Sequence, residues 1–159
     1  MYSLADITIK LTNGLSGTLP GQDAHDLMAV PGRGKYPIVP EQAKRAAVLI
    51  FLYEKVDRVF VALIKRETHE KDRHSGQISF PGGSMEVSDD YPIQTALREA
   101  HEEIGIPMDI QILGALTPLY IPVSGFFVSP VIASYPSPIP FSAQATEVKE
   151  ILEVDLSML

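Results

Sequence analysis

The sequence predicts an α/β (α+β) fold in which helices pack on a mixed β-sheet, and three observations predict it. First, two apolar, partly β-branched runs, "AAVLIFLY" (46–53) and "RVFVALIKR" (58–66), are separated only by "EKVD", which is typical of a hairpin in a well-covered sheet. Second, an amphipathic helical segment begins near residue 93. Third, the strand-like runs "IQILGALTPLYIP" and "FFVSPVIASY" follow that helix. Strands, one helix and more strands favour a mixed sheet covered by helices.

The N-terminal region has a weaker pattern. Residues 4–13, "LADITIKLTN", fit either a short helix or a strand. Residues 14–40 are rich in Gly and Pro, which indicates an extended arm with one helical turn near residues 24–28. We therefore predict a single domain over residues 1–159, with an N-terminal arm at 1–42 and a core at 43–159.

Turn residues mark the other predicted boundaries. "ISF" (78–80) is a short strand that runs into "PGG", where Gly82 and Gly83 permit a sharp turn and close backbone approach. Pro92 begins the helix, which ends before Gly105. The prolines at positions 118, 122 and 130 predict strand edges or bulges, and "TEVKEILEVDLSML" at the C-terminal end predicts a helical turn followed by a strand.

The composition excludes several classes of function. The 159 residues are 45% hydrophobic and 21% charged, which is typical of a soluble globular protein. Cysteine is absent, so disulfides, thiolate metal sites and cysteine nucleophiles are excluded. The net charge of −7 argues against nucleic acid as a partner. No run approaches the roughly 20 apolar residues of a membrane span, and the first residues lack a signal-peptide pattern, so we expect a cytoplasmic protein.

The helical segment "REAHEEIGI" (98–106) concentrates glutamates. At about 100° per residue, Glu103 lies about 80° from the centre of the apolar stripe, Glu99 about 120° and Glu102 about 180°. Only Glu102 has a basic neighbour at helical spacing, which is Arg98. Two unpaired carboxylates at a half-buried rim either raise a pKa or hold a cation, and oxygen ligands favour a hard ion such as Mg²⁺. The alternative is a solvated acidic face. The stripe itself comprises Ile93, Ala96, Leu97, Ala100 and Ile104.

The segment from Gly83 onward, "GSMEVSDDYPIQTALREAHEEIGI", resembles the Nudix box, the signature of a superfamily of diphosphate hydrolases. The second half of that pattern matches throughout, whereas the first half is one residue longer here. The acidic position of the first half therefore falls among Glu86, Asp89 and Asp90. The matching positions of the second half are Arg98, Glu99, Ala100, Glu102, Glu103, Gly105 and Ile106.

The residues upstream of the box are similar to the coenzyme A pyrophosphatase branch. "GQISFPGG" (76–83), "TALREA" (95–100) and "LPGQDAH" (19–25) carry that likeness. Ile64 and Glu67 depart from the pattern of the branch, and Lys71 or Arg73 has to serve as its second basic residue.

The resemblance implies a Nudix-type α/β/α sandwich with a mixed sheet. Related domains usually continue past a segment such as "EVKEILEVDLSML" with another strand and a closing helix. We therefore expect a core truncated at its C-terminus that lacks those two elements, or else an unusually short protein.

The resemblance also implies a site. Mg²⁺ or Mn²⁺ would be held by Glu99 and Glu103, assisted by Glu102 and by the backbone carbonyl of Gly82 or Gly83. Catalysis would use Glu102, Arg98 and Glu99, with Glu147 as an alternative base. Arg66, Arg73 and Gly83 would bind substrate.

The implied activity is hydrolysis of a small-molecule nucleotide diphosphate. In this branch the substrate is coenzyme A or its thioesters, and the products are phosphopantetheine and adenosine 3′,5′-bisphosphate. A Nudix hydrolase of ADP-ribose, dinucleotides or nucleoside triphosphates is the first alternative. A non-catalytic nucleotide-sensing module and a purely structural acidic domain are the others. The sequence leaves a homodimer open.

Overall fold

A computed structural model describes residues 2–28, 39–67 and 76–158 of the chain. Its helices are α1 (Leu4–Leu15), α2 (Gln22–Leu27) and α3 (Ile93–Ile104), and a 3₁₀ turn follows at Leu156–Met158. Its strands are β1 (Lys44–Lys55), β2 (Arg58–Arg66), β3 (Ile78–Ser79), β4 (Gly82–Ser84), β5 (Gln111–Ala115), β6 (Leu119–Ile121), β7 (Phe126–Tyr135) and β8 (Val148–Asp155).

The strands form one mixed sheet, which confirms the predicted fold class. β1 pairs in parallel with β7 over ten residues, and the other strand pairs are antiparallel. β8 lies on the outer edge of β2, while β5 and β6 follow one another along β7.

The β1–β2 hairpin opens into a fork, and residues 78–84 fill it. β1 pairs with β2 only through its second half, where Leu52 lies opposite Val61. In its first half β1 pairs instead with β4, and Ala47 lies opposite Gly83. β3 takes the corresponding place beside β2. The glycine turn is therefore held inside the sheet between the two strands.

Alternate residues of β1 face opposite layers, which explains why residues 46–53 of this strand are all apolar. Leu49 and Phe51 pack in the cluster that contains the apolar side of α3. Ile50 and Leu52 pack in the cluster that contains α1. A strand that is covered on both faces typically has a continuous run of apolar residues. The arrangement is the expected α/β/α sandwich.

Residues 4–15 form a helix that covers one face of the sheet, although the sequence places them in an N-terminal arm. Ser3 caps the helix: its Oγ accepts a hydrogen bond from Asp6 N–H (3.2 Å), and Asp6 Oδ2 accepts one from Ser3 N–H (3.1 Å). Leu4, Ile7 and Leu11 then recur at helical spacing against the sheet. This tertiary burial decides in favour of the helix over the strand.

Pro130 lies inside β7, at the break between two partner strands. Pairing with β6 ends at Val128, and pairing with β5 begins at Val131. The missing N–H of the proline therefore falls where neither β5 nor β6 requires it, while Pro130 stays opposite Val48 of β1. The predicted C-terminal strand is confirmed as β8. No helix in the described ranges is long and apolar enough to cross a membrane.

Candidate active site

Helix α3 sets its three glutamates at three depths. The side chain of Glu103 is 2% exposed, that of Glu99 17% and that of Glu102 56%. This order is the one that the angular positions predict. The prediction for the first turn was wrong, because Ile93 is 41% exposed and Thr95 is buried in its place.

Glu103 lies between the glycine turn and the end of β2. Its Oε2 accepts a hydrogen bond of 2.8 Å from Gly82 N–H, and its Oε1 lies 3.7 Å from Arg66 Nη1. Burial raises the pKa of Glu103 to about 7, and the negative charges of Glu99 and Glu147 add to that rise. The Gly82 N–H and Arg66 oppose it.

Arg98 is the centre of an ion-pair network. Its Nε and Nη2 donate to the two carboxylate oxygens of Asp89 at 3.1 and 3.0 Å, and Nη2 also donates to the Ser84 carbonyl at 2.9 Å. Its Nη1 lies 3.1 Å from Glu99 Oε1 and 3.2 Å from Glu102 Oε2. The hydrogen bonds to Asp89 raise the pKa of Arg98 above its usual value.

The prediction that Glu99 and Glu103 have no basic partner was wrong. Helical spacing considers only neighbours three and four residues away, whereas the long side chain of Arg98 bends along the helix to the adjacent Glu99. The partner of Glu103 is Arg66, which arrives from a strand. Burial still raises the pKa of Glu99, against the influence of Arg98.

Asp89 is the acidic residue of the loop that engages the helix. Beyond its contacts with Arg98, it accepts hydrogen bonds from Thr95 Oγ1 (3.0 Å) and from Glu86 N–H (2.9 Å). Arg98 holds the pKa of Asp89 well below its usual range, with the Glu86 N–H adding to the effect. Glu86 lies at the edge of the network, 3.9 Å from Arg98. Asp90 instead uses its backbone N–H, which donates to Gln94.

The two glycines of the turn are required by close approaches. A Cβ at Gly83 would lie 2.5 Å from Glu99 Oε2. A Cβ at Gly82, whose φ is +150°, would overlap the Ala47 carbonyl of β1. Because these residues have no side chains, the backbone of the turn can lie directly against β1 on one side and against the Glu99 carboxylate on the other.

The oxygen-only donor set fits a hard divalent cation with two protein ligands. Across residues 2–28, 39–67 and 76–158, no group of three or more His, Asp or Glu side chains is placed to hold a metal ion. Glu102 is therefore not brought in as a third donor, since it turns toward Arg98. Glu99 and Glu103 remain as a stacked pair with raised pKa values. Mg²⁺ is commonly bound by one or two carboxylates, with water and substrate phosphate completing its shell.

A cavity of about 370 Å³ opens beside the glycine turn. Arg66 and Gly83, both predicted to bind substrate, line it together with Gly82 and Gln77. Its volume lies within the range of small-molecule sites. Arg73, the third predicted substrate residue, lies outside the described residues.

Comparison with known proteins identifies the family. Residues 43–151 match the model of the NUDIX domain. An uncharacterized Nudix hydrolase, NudL, of Enterobacter sp. (strain 638) is 40% identical over 115 residues, which are 72% of this chain and 58% of the relative. The NudL of Yersinia pestis (strain Pestoides F) is 40% identical over 114 residues, 71% of this chain and 56% of the relative. The chain thus spans little more than half the length of these curated relatives.

Solved structures share the fold. An Ap4A hydrolase of C. elegans superposes with a TM-score of 0.60 at 18% identity, covering 72% of this chain and 82% of that one. The NUDIX domain of Shewanella oneidensis NrtR, crystallised with ADP ribose, gives 0.56 at 17% identity, with coverages of 86% and 84%. Together with the family match over most of its length, these findings show that the chain belongs to the Nudix family.

Proposed function

We propose that the chain carries the active site of a metal-dependent hydrolase that cleaves the diphosphate linkage of a nucleotide derivative. The observation that carries the proposal is the pair formed by buried Glu103 and half-buried Glu99 beside the Gly82–Gly83 turn, whose glycines line a cavity. Burial raises the pKa of both carboxyl groups even with Arg98 and Arg66 beside them, and a divalent cation shared by the two would offset that cost. Nudix family membership supplies the reaction class, because Nudix hydrolases generally use divalent metal ions on diphosphates.

Glu99 and Glu103 would hold Mg²⁺ or Mn²⁺, which would supply neutralisation of phosphoryl charge and activation of water. Arg98 orients Glu99 through the 3.1 Å contact and is itself fixed by Asp89. Arg66 offers a guanidinium to a phosphate at the cavity wall.

Two carboxylates are candidates for accepting the proton of the attacking water. Glu102 is exposed and lies within reach of Arg98. Glu147 raises the pKa of both Glu99 and Glu103, so its charge faces the same site. Replacing each by glutamine separates them, since loss of the base flattens the pH dependence of turnover whereas loss of a positioning group lowers it at every pH.

We propose coenzyme A or its thioesters as the substrate, with phosphopantetheine and adenosine 3′,5′-bisphosphate as products. The support is the likeness of "GQISFPGG" and "TALREA" to that branch. ADP-ribose, dinucleotides and nucleoside triphosphates are the alternatives, and the names of the NudL relatives state no substrate. The cytoplasmic location, the homodimer and the single-domain organisation stay predictions.

The test is a product assay on coenzyme A, ADP-ribose, NADH and diadenosine tetraphosphate with Mg²⁺ or Mn²⁺. We expect coenzyme A to be cleaved, and Glu99→Gln and Glu103→Gln each to lower turnover at least about 100-fold. Glu150→Gln, an exposed glutamate on β8, is the matched control and should not lower it. Cleavage of ADP-ribose with coenzyme A untouched would refute the substrate assignment.

The non-catalytic sensor predicts binding without turnover. Calorimetric titration of Mg²⁺ with and without nucleotide separates it from the hydrolase. Nucleotide binding that is independent of metal and of Glu99, with no product formed, would favour the sensor.

A further inference from the structure

Helix α1 covers only part of its face of the sheet, and an apolar groove lies on the remainder. The groove has a volume of about 490 Å³. Its walls come from the five strands β1, β2, β3, β6 and β7 and from Phe80, which precedes the glycine turn. The residues that matter here are Val48, Leu63, Phe80, Leu119, Ile121 and Val128.

The groove continues the cavity of the candidate active site. Val48, Phe80, Ile121 and Val128 line both spaces, and Ser79 does so as well. A ligand whose diphosphate lies at Gly82–Gly83 could therefore extend one of its two halves along the sheet into the groove.

The side chains that line the groove determine which half of the ligand it can bind. Among the described residues, no charged side chain lines the groove, and Ser79 is its one polar member. A purine ring is held by hydrogen bonds to its edges, and a 3′-phosphate is held by cations. Because the groove has few such groups, neither the purine nor the phosphate suits it. Apart from Phe80 and Ser79, the walls are aliphatic, and apolar walls of this kind suit a flexible hydrocarbon chain. Nearer the turn, Gln77, Ser79 and Ser124 offer amide and hydroxyl groups that suit the amides of a pantetheine arm.

We infer that the groove binds the acyl-pantetheine arm of the substrate, so that medium-chain acyl thioesters of coenzyme A are better substrates than free coenzyme A. This inference rests on the proposed function for its diphosphate chemistry. The binding surface itself does not depend on catalysis.

The first test uses a probe without any phosphate. S-octanoyl-pantetheine is titrated calorimetrically into the full chain in the absence of metal. We expect binding that Ile121→Gln weakens at least about tenfold, because Ile121 lies on the groove wall and is exposed enough (36%) for the chain to fold without it. Val123→Gln is the matched control, since Val123 is exposed, lies two residues further along and does not line the groove.

The second test measures kcat/KM for free, butanoyl and octanoyl coenzyme A. We expect an increase of about two- to fourfold for each methylene buried, until the groove is full. Ile121→Gln should flatten this series, so that octanoyl coenzyme A loses its advantage over free coenzyme A. Equal kcat/KM along the series, or binding of adenosine in place of the probe, would overturn the inference.

The outcomes separate the two proposals. Hydrolysis of coenzyme A without binding of the probe keeps the hydrolase and refutes the groove. Binding of the probe that depends on Ile121, without hydrolysis of any diphosphate, keeps the groove and refutes the hydrolase. A concentration-dependent dimer in sedimentation equilibrium that Ile121→Gln dissociates, with no probe bound, would assign the groove to a second copy of the chain and refute the inference.

Discussion

The backbone N–H of Gly82 donates a hydrogen bond of 2.8 Å to Glu103 Oε2 and so joins the glycine turn to the acidic helix. The turn is also paired with β1, where Gly82 lies opposite Val48. The position of the Glu103 carboxylate is thereby fixed by the sheet as well as by its own helix. A site built on rigid elements in this way keeps its geometry before any ligand arrives.

Gly83→Ala should damage the site more than the fold. The added Cβ would meet the Glu99 carboxylate, the far end of a flexible side chain, so the chain can fold while Glu99 is displaced. We expect turnover to fall on the order of 100-fold, because small misplacements of catalytic groups are costly. Steady-state kinetics and a thermal melt measure the two effects.

The matched control is Gly17→Ala, whose Cβ would meet only the Gly14 carbonyl at 3.6 Å. It should leave turnover and melting temperature unchanged. Full activity in Gly83→Ala would contradict the position of Glu99 described here.

Glu103 should make the metal-free protein less stable as the pH rises. Its folded pKa of about 7 lies above its ordinary value of 4.5, so folding disfavours its charged form. The stabilisation is complete below pH 4.5 and is lost as the pH rises through about 7. The loss is up to about 3 kcal/mol in the free energy of unfolding.

The measurement is denaturant unfolding in EDTA between pH 4 and 8 for the wild type and Glu103→Gln. The difference between the two proteins should change over that window, because glutamine does not titrate. Glu150→Gln should track the wild type. A constant difference between the wild type and Glu103→Gln would show that Glu103 has an ordinary pKa.

Arg98 and Asp89 should act as one unit. Arg98→Lys keeps the charge but loses the planar pair of donors that holds Asp89, and Asp89→Asn loses the acceptor charge. Each should lower activity or Mn²⁺ affinity by about 10- to 100-fold, as positioning groups behind metal ligands do. The double variant should be no less active, and should bind Mn²⁺ no more weakly, than the more impaired of the two single variants. Multiplied losses would contradict a shared role.

The N-terminal helix gives a test that concerns the fold alone. Ser3→Ala removes the capping box of α1 and should cost about 1 kcal/mol in the free energy of unfolding, while turnover stays at the wild-type level. Ser3→Thr should keep most of the cap. Equal stability of the two variants would show that α1 does not depend on it.

Local patterns predicted the β1–β2 hairpin and helix α3, because their apolar spacing is set by burial on the sheet. The depths of Glu99, Glu102 and Glu103 followed from the same spacing. The sequence did not decide between helix and strand for the region of α1. Its capping box and apolar stripe are short, and they favour the helix only when the sheet provides a surface for it to cover.

The charge partners of the site could not be predicted from helical spacing. Arg66 and Glu103 are 37 positions apart and meet because the hairpin opens into a fork. Asp89 reaches Arg98 from a loop one residue longer than the usual box, which left three acidic candidates. A basic residue at a strand end and an aspartate four residues before the first residue of α3 were the available signals.

The most direct test of the site is the anomalous difference map of crystals of the chain soaked in Mn²⁺. We expect a peak between the carboxylates of Glu99 and Glu103, with oxygen distances of about 2.0–2.3 Å, and no such peak in Glu103→Gln. A map with no peak there, and with both carboxylates still paired only to Arg98, Arg66 and Gly82, would contradict the central claim that these two glutamates bind the catalytic cation.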